Sequence, residues 1–304
     1  MISKEIANLY ARDSKVSLDI AERDILLTYA LKLLEEKGWL DRIVFKGGTA
    51  LRKFYLGKLM RFSLDLDFTY LGKESPDDLI LEIADLFNGG YQDIRFSVDS
   101  KDFYVRNDGT SCGAVIGYSH AFHESRLDFE LSLREPVILP PVKKPLMKTS
   151  YQKYLEFSSP VVSCLDLLEL HAEKVRASYQ RLRSRDVYDL GLLSGQPFDK
   201  ELLRLLVVLK FWHVRGEFNP KAYLEKLESR AYDWEDLKRL LRKDQKIDPK
   251  SLVKKCVQNY RFLGALSTEE ERILSDVKRH HETKKVHEIE KRLHSDRLKE
   301  KLSP

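Results

Sequence analysis

Apolar and polar residues recur with two different periods along the first 135 residues, and each period predicts an element. Apolar residues three and four apart predict helices at residues 19–37 and 76–87, and a further helix starting at Thr49. A short apolar run at residues 43–45 and strict alternation at residues 61–70 and 125–134 predict strands. The N-terminal part of the chain therefore combines helices with a sheet.

The pattern changes after a proline-rich segment, EPVILPPVKKPLMK at residues 135–148, which we interpret as a linker or wrapping loop. From residue 165 nearly everything has helical periodicity; the predicted helices are residues 165–183, 190–193, 200–213, 220–229, 234–241, 249–265 and 268–301. This order indicates an α+β fold, a mixed sheet with flanking helices followed by an all-helical C-terminal part. We expect an α+β domain at residues 1–148 and a helical domain at residues 149–304.

Composition is that of a globular protein, with 42% hydrophobic and 33% charged residues among 304. No apolar run reaches the length of a membrane span and the N-terminus lacks a signal-peptide core, so we expect a cytoplasmic location and no membrane partner. The net charge of +5 permits a nucleic-acid or nucleotide partner without requiring one. The three widely spaced cysteines fit reduced, buried side chains rather than disulfides or zinc ligands.

Two carboxylates lie on the polar face of the strand predicted at residues 61–70. Because side chains alternate between faces, Arg61, Ser63, Asp65 and Asp67 share one face. Carboxylates two residues apart repel each other when both are ionised, and a divalent cation removes that cost. Mg²⁺ (or Mn²⁺) fits best, since it binds a few carboxylate oxygens together with substrate phosphates. A lone D-x-D on a strand is, however, more often an ordinary polar surface.

The strand predicted at residues 125–134 offers a third carboxylate. Asp128 and Glu130 share its polar face, while leucine and phenylalanine side chains occupy the other. If this strand lies beside the D-x-D strand, one of these acids reaches the same site. Two-metal chemistry needs such a group to hold the ion that activates the attacking hydroxyl. Geometry alone does not choose between Asp128 and Glu130.

The glycine pair Gly47–Gly48 directly follows the apolar run at residues 43–45. A strand that ends in two glycines and enters a helix exposes backbone N–H groups at the positive helix end, which is an anion site suited to a β- or γ-phosphate. Lys46 and Thr49 flank this turn with further donors. Two glycines alone are usually a plain turn, but a phosphate cradle followed by a D-x-D strand indicates phosphoryl or nucleotidyl transfer.

A basic motif lies in the helical part. On one continuous helix, Lys174, Ser178, Arg181 and Arg185 would form a single stripe. Alone, the stripe is most simply a solvated face. Beside a triphosphate it is a charge clamp that neutralises the leaving pyrophosphate, and Asp186 would orient Lys174 or Arg185 or cap the helix.

Several separated motifs resemble those of the AbiEii/AbiGii toxin family, within the DNA polymerase β-like nucleotidyltransferase superfamily. They are FKGGTALRKFY at residues 45–55, RFSLDLDF at 61–68, LDFELSLREP at 127–136 and ELHAEKVRASYQRLRSRDVYDL at 169–190. The resemblance covers about residues 20–195, and residues 200–304 match no pattern that we identify. The wider superfamily usually has Gly-Ser and a shorter gap before its D-x-D, whereas this chain has Gly-Gly-Thr and a longer gap.

The resemblance implies a nucleotidyltransferase-like fold and a metal-dependent transfer of a nucleoside monophosphate from an NTP, with release of pyrophosphate. It further implies a toxin of a toxin–antitoxin pair tied to phage defence, with a cognate antitoxin and, for some members, a tRNA 3′ end as acceptor. Carried over residue by residue, Gly47 and Gly48 hold the triphosphate, Asp65 and Asp67 bind magnesium, and Lys174 and Asp186 are essential. The family pattern also favours Glu130 over Asp128 as the third carboxylate.

Two rival hypotheses also fit the sequence. The acceptor hydroxyl can belong to a protein rather than an RNA. Alternatively, the chain is a non-catalytic nucleotide-binding or antitoxin-binding module that kept the fold. Labelled triphosphates discriminate among them, because the label enters RNA, protein or neither.

Overall fold

The computed structural model describes residues 2–181, 183–276, 278–279 and 281–302, which form two compact units. The first unit contains the described residues up to Arg134, with Pro141–Cys164 and Leu240–Asp244. The second contains Glu135–Pro140, Leu165–Arg239 and the described residues from Gln245 onward. The chain thus passes between the units at several points, and the domain boundary expected at residue 148 stays a prediction.

The first unit is built on a mixed sheet, for which the described residues supply nine strands. The strands are β1 (Ile43–Lys46), β2 (Asp65–Tyr70), β3 (Gly89–Tyr91), β4 (Ile94–Ser97), β5 (Phe103–Val105), β6 (Ser111–His120), β7 (His123–Ser132), β8 (Val142–Pro145) and β9 (Val161–Cys164). Their order is β3-β4-β6-β7-β2-β1-β9-β8, with β5 paired to β6. β2 runs parallel to β7 and antiparallel to β1. The two acid-bearing strands are therefore neighbours.

The apolar face of this sheet forms the core of the first unit. Alternation buries Leu66 and Phe68 on β2 and Leu127, Phe129 and Leu131 on β7. The Phe129 ring contacts the Phe68 ring at a centroid distance of 5.4 Å. Burial of these large side chains, worth about 2 kcal/mol each, fixes which face of β2 and β7 points away from the core.

Three longer helices flank the sheet: α1 (Lys4–Ser14), α2 (Leu18–Glu36) and α4 (Pro76–Leu86). Ser3 and Ser75 cap α1 and α4 by accepting a backbone N–H of the first turn, and Pro76 occupies the first turn of α4. Helix α4 contacts β5 and β6. The helix was predicted to end at residue 87, one residue beyond Leu86, and the two glycines expected to close it belong to strand β3.

The segment between β1 and β2 differs from its prediction in two ways. Helix α3 (Gly47–Ala50) starts at Gly47 rather than Thr49 and continues as a π-helical segment, Leu51–Leu56. Strand β2 starts at Asp65, so the prediction of a strand from Arg61 is wrong at its beginning. Phe62 N donates to Leu240 O at 2.8 Å, so part of this stretch finds its backbone partner outside the sheet.

The proline-rich segment is more than a linker. Strand β8 lies within it and pairs antiparallel with β9. Earlier in the segment, the Glu169 carboxylate accepts the backbone N–H groups of Ile138 and Leu139 at 3.0 and 2.8 Å, which fixes Glu135–Pro140 in the second unit. Prolines hide both features in the sequence because they interrupt every regular period.

The second unit is helical over the residues described. Its helices are α5 (Leu167–Arg181), α6 (Ser184–Leu193), α7 (Lys200–His213), α8 (Pro220–Ser229), α9 (Trp234–Lys238), α10 (Pro249–Asn259), α11 (Thr268–Ser275) and α12 (Thr283–Leu302). The helix predicted at residues 268–301 is wrong as one element, because α11 ends at Ser275. Val286 and Ile289 of α12 are buried in the helical core, so this charged helix is not wholly a solvated arm.

Among the described residues, no helix combines the length and the apolar character that crossing a bilayer requires.

Candidate active site

One row of residues crosses five adjacent strands on the polar face of the sheet. The backbone register pairs Lys46 with Asp67, Asp67 with Glu130, Glu130 with Gly113 and Gly113 with Tyr104. Residues directly opposite on neighbouring strands present their side chains on the same face. We call these five residues the cross-strand row. It joins the end of β1 to the D-x-D strand and to the second acidic strand.

A second acidic pair lies two residues before this row. Asp65 is opposite Asp128 in the same register that places Asp67 opposite Glu130. Four carboxylates therefore share one small area of the sheet. Partial desolvation, and then the charge of Asp65, raise the pKa of Asp128. The area thus favours a positive charge, because ionised carboxylates there repel each other.

The glycine turn lies directly against Asp67. Gly47 has a φ of 78°, and a Cβ atom at this position would stand 2.3 Å from Asp67 Oδ2. A Cβ atom at Gly48 would stand 2.7 Å from Ser63 Oγ and 2.9 Å from an Arg61 guanidinium nitrogen. Only glycine allows the backbone to approach these side chains so closely. The turn, Arg61, Ser63 and the D-x-D strand are consequently brought together.

The residues around the turn differ in exposure. Arg61 and Ser63 are buried, and Arg61 Nη1 donates to Phe62 O at 3.0 Å. Lys46 is half-buried at the end of β1. Thr49 is buried, and its hydroxyl has no hydrogen-bond partner among the residues described. An unpaired buried hydroxyl is uncommon and is a donor that a ligand can use.

Tyr104 is a member of the site that the sequence analysis missed. Its hydroxyl donates to Glu130 Oε2 at 3.3 Å, and a Cβ atom at Gly113 would stand 2.7 Å from that hydroxyl. Burial of the ring, and then the Glu130 carboxylate, raise the pKa of Tyr104 well above its usual value. The hydroxyl therefore stays protonated and remains a donor. The three-residue sequence of β5 does not predict that Tyr104 joins the site, because the contact depends on the pairing of β5 with β6.

The donor atoms of the area are compatible with a hard divalent cation. Among the described residues, no three His, Cys, Asp or Glu side chains already converge as a metal site. Asp65, Asp67 and Glu130 nevertheless present carboxylate oxygens on adjacent strands. Mg²⁺ needs only one or two carboxylates when water and substrate phosphates complete its shell, so these residues fit an ion that arrives with a nucleotide.

Within the second unit, Lys174 and Asp186 belong to a buried charge network. Lys174 Nζ lies 2.6 Å from Asp189 Oδ2 and 3.9 Å from Asp186 Oδ1. The Arg181 guanidinium donates to both Asp186 oxygens at 2.8 Å. Lys174, Asp186 and Asp189 are all buried. The network joins α5 to α6, the two helices that carry the motif.

The basic stripe predicted on one helix is wrong. Helix α5 ends at Arg181, and Leu182 lies outside the described residues. Arg185 lies on α6, where its Nε is 3.0 Å from Asp236 Oδ2. Ser178 is buried and shares a 2.5 Å hydrogen bond with the Tyr223 hydroxyl. Helical spacing was misleading because α5 ends at Arg181 and a separate helix, α6, starts at Ser184.

A mixed sheet with a glycine turn after one strand and paired carboxylates on the next defines a nucleotidyltransferase. The family model for the nucleotidyl transferase AbiEii toxin of type IV toxin–antitoxin systems matches residues 29–302, and the chain belongs to this family. Membership implies an NTP substrate and an antitoxin partner. No curated protein sequence matches the chain.

The structure is similar to that of MenT4, a nucleotidyltransferase toxin from Mycobacterium tuberculosis H37Rv. The TM-score is 0.80 at 26% sequence identity, with 97% of this chain and 100% of that chain covered. JHP933 from Helicobacter pylori is more distant, with a TM-score of 0.47 at 18% identity over 86% of this chain and 99% of that one. The predicted family, fold class and NTP-using enzyme class are confirmed.

The residue range predicted for the family resemblance is too short. The motifs that resemble the family end at about residue 195, whereas the family model extends to residue 302. The helices after residue 200 are therefore part of the family's shared architecture.

Proposed function

We propose that the chain transfers a nucleoside monophosphate from an NTP to a hydroxyl of RNA, at the 3′ end of a tRNA. The acceptor oxygen forms a bond to the α-phosphorus, and the bond from that phosphorus to the β-bridging oxygen breaks. Pyrophosphate leaves with the electron pair, and the hydroxyl proton passes to water. In the cell this reaction inactivates the RNA, acts as the toxic activity and contributes to phage defence.

The observation that carries the proposal is the contact between the glycine turn and the acidic strands. Gly47 approaches Asp67 so closely that no Cβ atom fits, and Asp67 is opposite Glu130. A phosphate bound at the turn is thus within reach of carboxylate-bound cations. A triphosphate cradle next to hard oxygen ligands is the equipment that nucleotidyl transfer requires.

The individual roles follow from position. Gly47 and Gly48 bind phosphate through their backbone N–H groups, and the side chains of Lys46, Thr49, Arg61 and Ser63 line the same turn as further donors. Asp65, Asp67 and Glu130 would hold Mg²⁺ or Mn²⁺. We favour Glu130 over Asp128 because Glu130 belongs to the cross-strand row that reaches the turn. The bound cation would supply positive charge to the triphosphate.

RNA is the proposed acceptor because the chain is basic, with a net charge of +5, and because the family resemblance includes tRNA-modifying members. A protein hydroxyl is the alternative acceptor. The catalytic roles expected for Lys174 and Asp186, and the phosphate contacts expected for Arg181 and Arg185, stay predictions. The buried ion-pair network around Lys174 also has an evident structural use, since it joins α5 to α6.

The test is a labelling assay with α-labelled NTPs, Mg²⁺ and total RNA. Wild-type protein should label tRNA, and Asp65→Ala should lower the rate by about 100-fold or more, because a metal ligand is lost. Asp85→Ala, an exposed position on α4 without an ion pair among the described residues, is the matched control and should keep full activity. Circular dichroism verifies that each variant is folded.

Three outcomes count against the proposal. Label in protein instead of RNA would identify the alternative acceptor. Equal labelling by Asp65→Ala and wild type would show that the Asp65 carboxylate is not needed for the transfer. Labelling that persists in EDTA would show that the transfer does not require a divalent cation.

A further inference from the structure

A groove with aromatic and basic walls lies in the second unit, between α8, α9 and α10. Its cavity volume is about 440 Å³. The lining side chains come from the end of α8, the start of α9 and one face of α10; those that matter here are Arg230, Tyr232, Trp234, Lys250, Lys254 and Arg261. The family motifs contain none of these residues, and the mechanism proposed above does not use them.

Two aromatic rings form one wall of the groove. The rings of Tyr232 and Trp234 lie 5.4 Å apart, centroid to centroid, and both side chains are half-buried. The Tyr232 hydroxyl donates to Leu227 O at 3.1 Å, which fixes the orientation of its ring. Val253 and Val257 of α10 also line the groove and pack on the helical core with these rings. The wall is therefore a rigid, partly exposed aromatic surface.

Positive charge surrounds this surface. Arg230, Lys250, Lys254 and Arg261 are exposed, and none of them forms an ion pair within the part of the chain that the structure describes. Glu228 is the one acidic residue that lines the groove among the residues described. The groove thus presents more unpaired positive than negative charge.

The carboxylates closest in sequence, at the starts of α9 and α10, have partners of their own. Asp248 accepts the backbone N–H of Lys250 at 3.1 Å as the cap of α10. Asp233 accepts the backbone N–H groups of Glu235 and Asp236 as the cap of α9. Glu235 pairs with Lys238 at 2.5 Å, and Asp236 pairs with Arg185 at 3.0 Å. The charges of Glu235 and Asp236 are therefore offset by cations outside the groove.

We propose that this groove binds an unpaired segment of RNA, with bases stacked on Tyr232 and Trp234 and phosphates held by the four cations. Sequence-tolerant binding of single strands depends on this combination of aromatic faces and backbone-tracking positive charge. An acidic peptide would satisfy the cations but would leave the paired aromatic faces without a matching partner. The proposal extends the proposed RNA acceptor by a second contact region, and it rests on that function for the identity of the RNA.

Binding can be measured without catalysis, which separates this inference from the proposed function. The probe is a fluorescently labelled single-stranded RNA oligonucleotide, titrated with full-length protein in the absence of NTP and followed by anisotropy. Lys250→Gln/Lys254→Gln should weaken binding by about tenfold and reduce the slope of log affinity against log salt by about 1.4, since two phosphate contacts are lost.

The matched control removes the same charge elsewhere in the unit. Lys284 and Lys291 are exposed on α12, do not line the groove and form no ion pair among the described residues. Lys284→Gln/Lys291→Gln should leave both the affinity and the salt slope nearly unchanged. If the control pair and the groove pair weaken binding equally, the attraction is diffuse and the groove is not the site.

Stacking is tested at Trp234. Trp234→Leu should weaken binding by roughly tenfold because a stacking face is lost, and Trp234→Phe should restore most of the affinity. Thermal unfolding of both variants accompanies the titrations. Equal loss in the leucine and phenylalanine variants at unchanged stability would show that ring stacking plays no part.

Three further outcomes bear on the groove and on the proposed function separately. Wild-type protein that fails to bind the oligonucleotide, or groove variants that bind like wild type, would overturn the inference even if tRNA is labelled in the catalytic assay. Groove variants that lose binding to an acidic peptide but not to RNA would assign the groove to a protein partner. Conversely, specific RNA binding without any labelling would retain the groove and refute the proposed function.

Discussion

The acidic side chains on the polar face of β2 and β7 repel one another, and this repulsion costs the folded protein stability. Four carboxylates share the polar face of β2 and β7, and Asp128 has a raised pKa, to which the charges of Asp65 and Glu130 contribute after desolvation. A carboxyl whose pKa is raised by folding destabilises the folded state progressively as pH rises through its titration range. A cation bound between these acids, as proposed above, would relieve this repulsion.

Substitution of the two candidate third carboxylates should separate their roles. We expect Glu130→Gln to reduce RNA labelling by about 100-fold, because the row that contacts the glycine turn loses its second acid. Asp128→Asn should reduce labelling less, and should raise the melting temperature of the metal-free protein at pH 7 more than at pH 4. The measurements are initial labelling rates and thermal unfolding in EDTA. A larger activity loss for Asp128→Asn would exchange the two assignments.

At the scale of elements, the glycine turn depends on two separate constraints. Gly47 combines a positive φ with contact to Asp67. Gly109 has a φ of 64°, but apart from Gly109 and its two chain neighbours no heavy atom lies within 4 Å of where its Cβ atom would stand. Alanine at either glycine introduces backbone strain of about 1–2 kcal/mol. Only at Gly47 does the methyl group also displace a carboxylate of the site.

Alanine substitution should therefore affect the two turns differently. Both Gly47→Ala and Gly109→Ala should lower the free energy of unfolding, by about 1 kcal/mol or more. Gly47→Ala alone should abolish labelling of RNA, because its methyl group pushes Asp67 away from the proposed phosphate site. Urea unfolding and the labelling assay report the two effects. Full activity in Gly47→Ala would mean that the close approach of turn and strand is not needed.

At the scale of the whole molecule, each unit has its own core, and the second unit also contains a fully buried lysine. Lys210 Nζ lies 2.6 Å from Glu169 Oε1 and 3.2 Å from Glu173 Oε1. Burial disfavours the Lys210 charge, but Glu169, Glu173 and Glu135 outweigh this and raise its pKa. Glu169 also accepts the backbone N–H groups of Ile138 and Leu139. Lys210 therefore offsets the charge of the same carboxylate that holds Glu135–Pro140 against the helices.

Removal of this lysine should destabilise the helical unit strongly. Lys210→Met should lower the free energy of unfolding by about 3–5 kcal/mol at pH 7, since it leaves buried carboxylates uncompensated. The deficit should shrink at pH 5, because those carboxylates then bind protons more readily in the folded variant. Hydrogen exchange should rise most in α5 and α7.

The control for this prediction is Lys238→Met, which breaks the exposed pair with Glu235 and should change stability by less than about 1 kcal/mol. Equal effects of the two lysine substitutions would indicate that burial of the Lys210 cluster contributes little.

Local pattern was enough to predict part of this molecule. Alternation predicted β7, and helical periodicity predicted α7 and α8, to within about two residues at each end. Each of these elements buries one face, so its apolar residues recur in the sequence with the period of a strand or a helix. Prediction failed where local and long-range preferences compete. Residues 61–64 alternate like a strand but lie outside the sheet, and the stripe from Lys174 to Arg185 is divided between α5 and α6.

The sequence by itself determined the family, the fold class and the chemistry available, because spacing along one strand or one turn decides which side chains share a face. The tertiary structure decided which acids meet the glycine turn, that Tyr104 joins Glu130, and that Lys174 pairs with Asp189. Those contacts join residues distant in the chain. They depend on strand order and register, which arise from the packing of the whole core. No short stretch of the sequence is enough to predict them.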